Sequence, residues 1–101
     1  MKQFVVRLSD KQKHLMTAKL ITDHVNYLRQ LKEVGRLPFC GPCTDGTAIM
    51  ILKADSREEA EKLLASDPFS AVDYYKSRDM IEVEEATLEN NFHLDRVLEN
   101  I

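Results

Sequence analysis

Ala48-Ile49-Met50-Ile51-Leu52, continued through Lys53-Ala54-Asp55 to Ser56-Arg57-Glu58-Glu59, holds a strand and the start of a helix in one stretch. The unbroken apolar run predicts a strand over Thr47 to Ala54. Ser56 followed by Glu59 forms a capping box, opening a helix that runs to about Ser66. Asp67-Pro68-Phe69 ends it, because Pro68 disfavours helical geometry at Asp67. Upstream, Thr44-Asp45-Gly46 carries a hairpin turn signal that joins this strand to a shorter one over Leu37 to Cys40. Further upstream, Gly35 reads as the C-cap of a long helix from about Leu15 to Val34. Ser9 to Lys13 is a polar lead into that helix, and Phe4 to Leu8 is a first strand. Downstream, Ala71 to Tyr75 forms a short turn or helix, and Ser77 to Glu84 a fourth strand. Leu94, Val97, Leu98 and Ile101 stand at helical spacing in the tail. The predicted order is β-α-β-β-α-β, an α+β, ferredoxin-like arrangement with two helices on one face of a four-stranded antiparallel sheet.

The same run raises a question of cover. A strand with one wet face alternates apolar and polar residues, yet Ala48 to Leu52 is apolar throughout and Phe4-Val5-Val6 is similar. The expected cover is a second copy, packed sheet to sheet in an isologous homodimer. The alternative is that the terminal helix folds back over the open face.

With 101 residues the chain is expected to be one domain, its core about residues 3–85 and its tail helix about 90–101. A net charge of −3 argues against a nucleic-acid surface. There is no apolar run long enough for a membrane span. The N-terminus turns charged too early for a signal peptide. Two cysteines in such a chain suggest free thiols in a reducing cytoplasm. Neither a metal nor a cofactor is expected.

Both cysteines lie in Phe39-Cys40-Gly41-Pro42-Cys43, a thiol–disulfide pattern by spacing. A redox Cys-x-x-Cys usually relies on a helix N-terminus to stabilise its first thiolate. Here a turn and a strand follow instead, so Cys40 reads as a small strand residue and Cys43 as a turn residue. No second Cys or His pair stands at zinc-ligand spacing.

A different pair of residues is the candidate for chemistry. Leu20, Ile21, Val25, Leu28 and Leu31 make the apolar stripe of the long helix, and at 100° per residue His24 falls near its middle. Ala60, Leu63 and Leu64 make the buried face of the second helix, and Asp67 is the next position in that series. Two helices side by side on one sheet face would bring His24 and Asp67 together. A carboxylate accepting from one ring nitrogen orients the imidazole and leaves the other nitrogen for general acid–base work. The plainer readings are a satisfied core histidine and an Asp67 that only caps a turn.

The ordered series His24, Gly35-Arg36-Leu37, Gly41-Pro42, Asp45-Gly46, Ser56-x-x-Glu59-Ala60 and Asp67-Pro68-Phe69 resembles the YciI-like (YCII-related) family, over about Phe4 to Glu84. The resemblance implies a ferredoxin-like fold, dimers of the α/β-barrel type, and kinship in fold with muconolactone isomerase. It places the family's His–Asp site on His24 and Asp67, and makes Gly41, Pro42 and Phe69 the expected substrate-binding residues. Two features depart from the pattern. Ala71-Val72-Asp73 stands where relatives often carry an Ala-Gly stretch, and the two cysteines are not a family feature.

Other residues read as structural. His14 and His93 are expected on the surface, Tyr74-Tyr75 in packing, and Met16, Met50 and Met80 in the core. The expected function is a small cofactor-free cytoplasmic enzyme that uses the His–Asp pair on a small organic molecule, in an isomerisation, elimination or hydrolysis. The alternatives are a non-catalytic small-molecule-binding or interaction dimer and, behind it, a redox protein acting through Cys40 and Cys43.

Overall fold

The computed structural model describes residues 1–101. Its elements are β1 (Lys2–Lys11), α1 (Ala18–Glu33), β2 (Phe39–Pro42), β3 (Ala48–Ala54), α2 (Arg57–Ala65), α3 (Pro68–Ala71), β4 (Tyr75–Val83) and α4 (Asp95–Glu99). The four strands form one sheet in the order β2-β3-β1-β4, and every pairing is antiparallel. This is the ferredoxin-like α+β arrangement the sequence predicts. No helix is long and apolar enough to cross a membrane.

Local chemistry sets the boundaries. The Thr17 hydroxyl accepts from the Leu20 N–H and starts α1. Gly35, at φ +74°, ends it, with the Arg36 N–H returning to the Leu31 carbonyl. The Ser56 hydroxyl accepts from the Glu59 N–H and starts α2. The return half of the capping box is diverted. Glu59 accepts from the Asp55 N–H and pairs with Arg36, tying α2 to the segment before β2.

The helix-facing side of the sheet is the core. Phe4, Val6 and Leu8 of β1 alternate inward, and so do Met50, Leu52 and Ala54 of β3. Leu31, Ala60, Leu64 and Phe69 cover them from the helices. On the opposite face the register aligns Phe39, Ile51, Val5 and Ile81 in one row across all four strands. Ile81 is 67% exposed and Phe39 53% exposed, so this apolar row is open. The terminal helix does not cover it, since α4 buries none of its own residues.

Several boundaries differ from the sequence reading. β1 runs to Lys11 rather than Leu8, and β4 starts at Tyr75 rather than Ser77, because the two strand ends pair with each other. α1 starts at Ala18 after a 3₁₀ turn over Lys13–Leu15. β2 lies two residues later than expected. Leu37 is drawn into the core, while Pro42 is tolerated because β2 is an edge strand. Met16 is not core filler but an exposed residue at the mouth of a cavity.

Candidate functional site

Asp67 is placed by its neighbours in sequence. Pro68 holds it extended at φ −66°, ψ 130°, and its carboxylate caps α3 by accepting from the Phe69 N–H at 2.9 Å. The same oxygen, Oδ1, lies 2.7 Å from His24 Nδ1. Asp67 is the one charged residue in the buried set, at 2% exposure. A carboxylate can only accept, so Nδ1 carries the hydrogen in this contact and Nε2 holds the free lone pair. Phe69 stacks on the imidazole, with ring centroids 3.6 Å apart and planes 4° from parallel. Both faces of the geometry are thus fixed: one nitrogen by Asp67, the ring plane by Phe69.

His24 opens on a cavity of about 340 Å³ between α1 and the β2–β3 hairpin, a volume typical of small-molecule sites. Gly41, Pro42 and Phe69 are at its wall, with Tyr74 and Tyr75 beside them. Ile21 and Val25 of the α1 stripe line it too, and they stay 45% and 43% exposed. The stripe is therefore only partly a core feature; Ile21, Val25 and Leu28 border the cavity, while Leu31 is buried in the core. Tyr74 and Tyr75 pack as the sequence suggests, edge to face at 5.1 Å, but they also form cavity wall. His14 and His93 are exposed. Lys11 lines the cavity, and nothing in the sequence reading marked it.

The cysteines are free, and Cys40 lines the cavity opposite Met50. β2 remains extended through Pro42, and the Cys43 N–H still bonds the Thr47 carbonyl. At about 3.3 Å of rise per residue the two Cα atoms stand roughly 10 Å apart. A disulfide requires less than about 7 Å, so closing one would unwind β2.

Two tyrosines carry perturbed hydroxyls. Burial pushes Tyr27 up and the Asp67 charge adds to it, while its hydroxyl donates to the Leu63 carbonyl at 2.6 Å. Burial also pushes Tyr75 up, helped by Tyr74 and Cys43. Both values are raised above the unfolded 10.0, so the folded state holds these protons more tightly. Their contribution is complete below pH 10 and is lost as pH rises through the folded values. The thermal midpoint is expected to fall as pH rises above 10. In Tyr27→Phe this alkaline fall should be shallower; an unchanged slope would show that Tyr27 has no part in it.

The comparisons with known proteins agree with the fold. The family model described as the YCII-related domain matches residues 2–84. No curated protein matches the chain. Among solved structures, the chain is similar to 5-chloro-2-hydroxyhydroquinone dehydrochlorinase from Burkholderia phenoliruptrix AC1100, in complex with 2,5-dihydroxybenzoquinone. That likeness has a TM-score of 0.67 at 19% identity, and covers 84% of this chain and 95% of the other. At this identity it speaks for the fold alone.

Proposed function

The chain belongs to the YCII-related family, and from that premise we propose that it is a small-molecule enzyme in which His24 moves a proton and Asp67 orients it. The observation that carries this reading is the 2.7 Å contact between His24 Nδ1 and Asp67 Oδ1 at the wall of an apolar cavity. A fixed tautomer with Nε2 facing the bound molecule is the arrangement general acid–base catalysis needs. Gly41, Pro42 and Phe69 bound the substrate. The reaction is an elimination, isomerisation or hydrolysis driven by proton transfer, and requires no cofactor. The dehydrochlorinase of the same fold is named for an elimination, so chlorinated hydroxyhydroquinones are the first compounds to assay, by chloride release. A bound ring recovered unchanged, with no turnover by the wild type on any enolisable or halogenated ring, would favour a binding protein instead.

The enzyme acts as a cytoplasmic homodimer in this proposal. The row of Phe39, Ile51, Val5 and Ile81 spans the sheet and is open to solvent. A two-fold axis over its centre lays the same row on itself, burying both at once. Sedimentation at micromolar concentration is expected to give a dimer. Ile81→Lys, which changes no core contact, is expected to give a folded monomer. A wild-type monomer would contradict the sheet-to-sheet assembly.

A further inference from the structure

The path of β1 changes face near its end. Arg7 and Ser9 project to the open side, and strict alternation sends Lys11 there as well. Lys11 instead lines the His24 cavity, on the helix side of the sheet. Its cross-strand partner Tyr75 does the same, buried in the helix-side core while Ser77 and Asp79 stay outside it. The cause lies between them. Asp10 is in the left-handed region, at φ +58°, and its carboxylate accepts from the Ser77 hydroxyl at 2.7 Å. That conformation is unfavourable for most non-glycine residues, and Asp is one of the few that adopt it. Strained positions of this kind cluster where a side chain must be re-aimed at a site.

Lys11 is the one Lys, Arg, Asp or Glu residue that lines the cavity; the other lining residues are His24, Cys40, two tyrosines and apolar residues. It forms no ion pair within the chain. It also belongs to an adjoining depression formed with Lys13, His14 and Lys76, where Asp10 is the lone acid. Lys13 and Lys76 are likewise without ion-pair partners. A protein of net charge −3 thus gathers three unpaired lysines in a depression that shares Lys11 with its apolar cavity. Cations clustered at a cleft raise the local concentration of anions and their rate of entry.

We propose that the cavity binds a small organic anion with an apolar body, its charged group being a carboxylate, enolate or phenolate, and that Lys11 recognises that group. The proposal rests on the reading of this cavity as a substrate site. The apolar walls take the body of the molecule, and the Lys11 ammonium holds its charge so that the reacting carbon meets His24. Lys11 is then a specificity-determining residue for the anion, re-aimed by the left-handed backbone of Asp10 within β1.

Benzoate and benzyl alcohol, matched in shape and different in charge, test this by NMR titration of the full chain. Wild type is expected to bind benzoate more tightly. Lys11→Met should weaken benzoate by roughly tenfold, the value of a lost charged hydrogen bond, and leave benzyl alcohol unchanged. Lys11→Arg should retain most of the benzoate affinity, and added salt should erode it. Equal binding of the two probes by wild type, or an equal loss of both in Lys11→Met, would overturn the role of Lys11 while leaving the cavity a binding site. If neither probe perturbs the cavity residues, the anion site and the substrate-site reading fall together. Lys11 is exposed and away from the core, so an unchanged melting midpoint in Lys11→Met serves as the folding control.

Discussion

His24→Asn is expected to lower kcat by roughly a hundred- to ten-thousandfold, the range that a positioned general acid or base supplies. The asparagine amide retains a donor for Asp67 Oδ1 and fills much of the imidazole volume, so the chain should remain folded. What it lacks is the second nitrogen. With Nδ1 committed to Asp67, proton transfer at this wall depends on Nε2. KM should move much less than kcat, because the apolar walls and Lys11 remain in place. The measurement is turnover of a chlorinated ring or an enolisable acid, followed by chloride release or substrate absorbance, beside a thermal melt of the same protein. Turnover within threefold of wild type, in a variant that melts normally, would remove His24 from the chemistry.

The parts of this site that were legible in the sequence are those governed by a local period or a stereochemical rule. A 100° step along α1 points His24 inward, and the i, i+3, i+4, i+7 series of α2 carries on to Asp67, where the structure has the two side chains in hydrogen-bond contact. Gly35 at φ +74° and the Ser56 cap were visible for the same reason, since a left-handed C-terminus and an N-cap each demand particular residues. The apolar run over β3 implied two covered faces, and its register shows the open one. What the sequence hid depends on pairing between distant segments. Ser9-Asp10-Lys11 is polar and reads as a loop, but the start of β4 pairs with it and makes it strand. The left-handed Asp10 then overturns the alternation that any reader would apply to Lys11. Asp is among the few non-glycine residues that tolerate this conformation, which is the only local hint. Met16, Ile21 and Val25 look like core from their composition; only the packing of α1 across the β2–β3 hairpin leaves a space beside them.

Asp67→Ala is expected to destabilise the protein by about 2–4 kcal/mol, the sum of a lost N-cap and of buried donors left without a partner. One oxygen serves two donors, the His24 ring and the Phe69 N–H. Its removal therefore loosens α3 and frees the imidazole together, and Phe69 loses the flat partner it stacks on. For a domain of this size that corresponds to a fall in melting midpoint of roughly 10–25 °C. Asp67→Asn separates the two duties. The Phe69 N–H requires an acceptor at the Oδ1 position, which sets the orientation of the amide and keeps an oxygen before His24 Nδ1. The cap and the tautomer survive, and the negative charge behind the ring does not. The stability loss should then be smaller than for alanine by at least about 1 kcal/mol, while kcat falls roughly ten- to a hundredfold, as when a group that orients a functional histidine is replaced. In the double variant His24→Asn with Asp67→Asn, the losses in kcat should not add, since the carboxylate acts only through the imidazole. Additive losses would show that Asp67 contributes by some route other than His24. An alanine variant that melts within a few degrees of wild type would show that α3 does not depend on this cap.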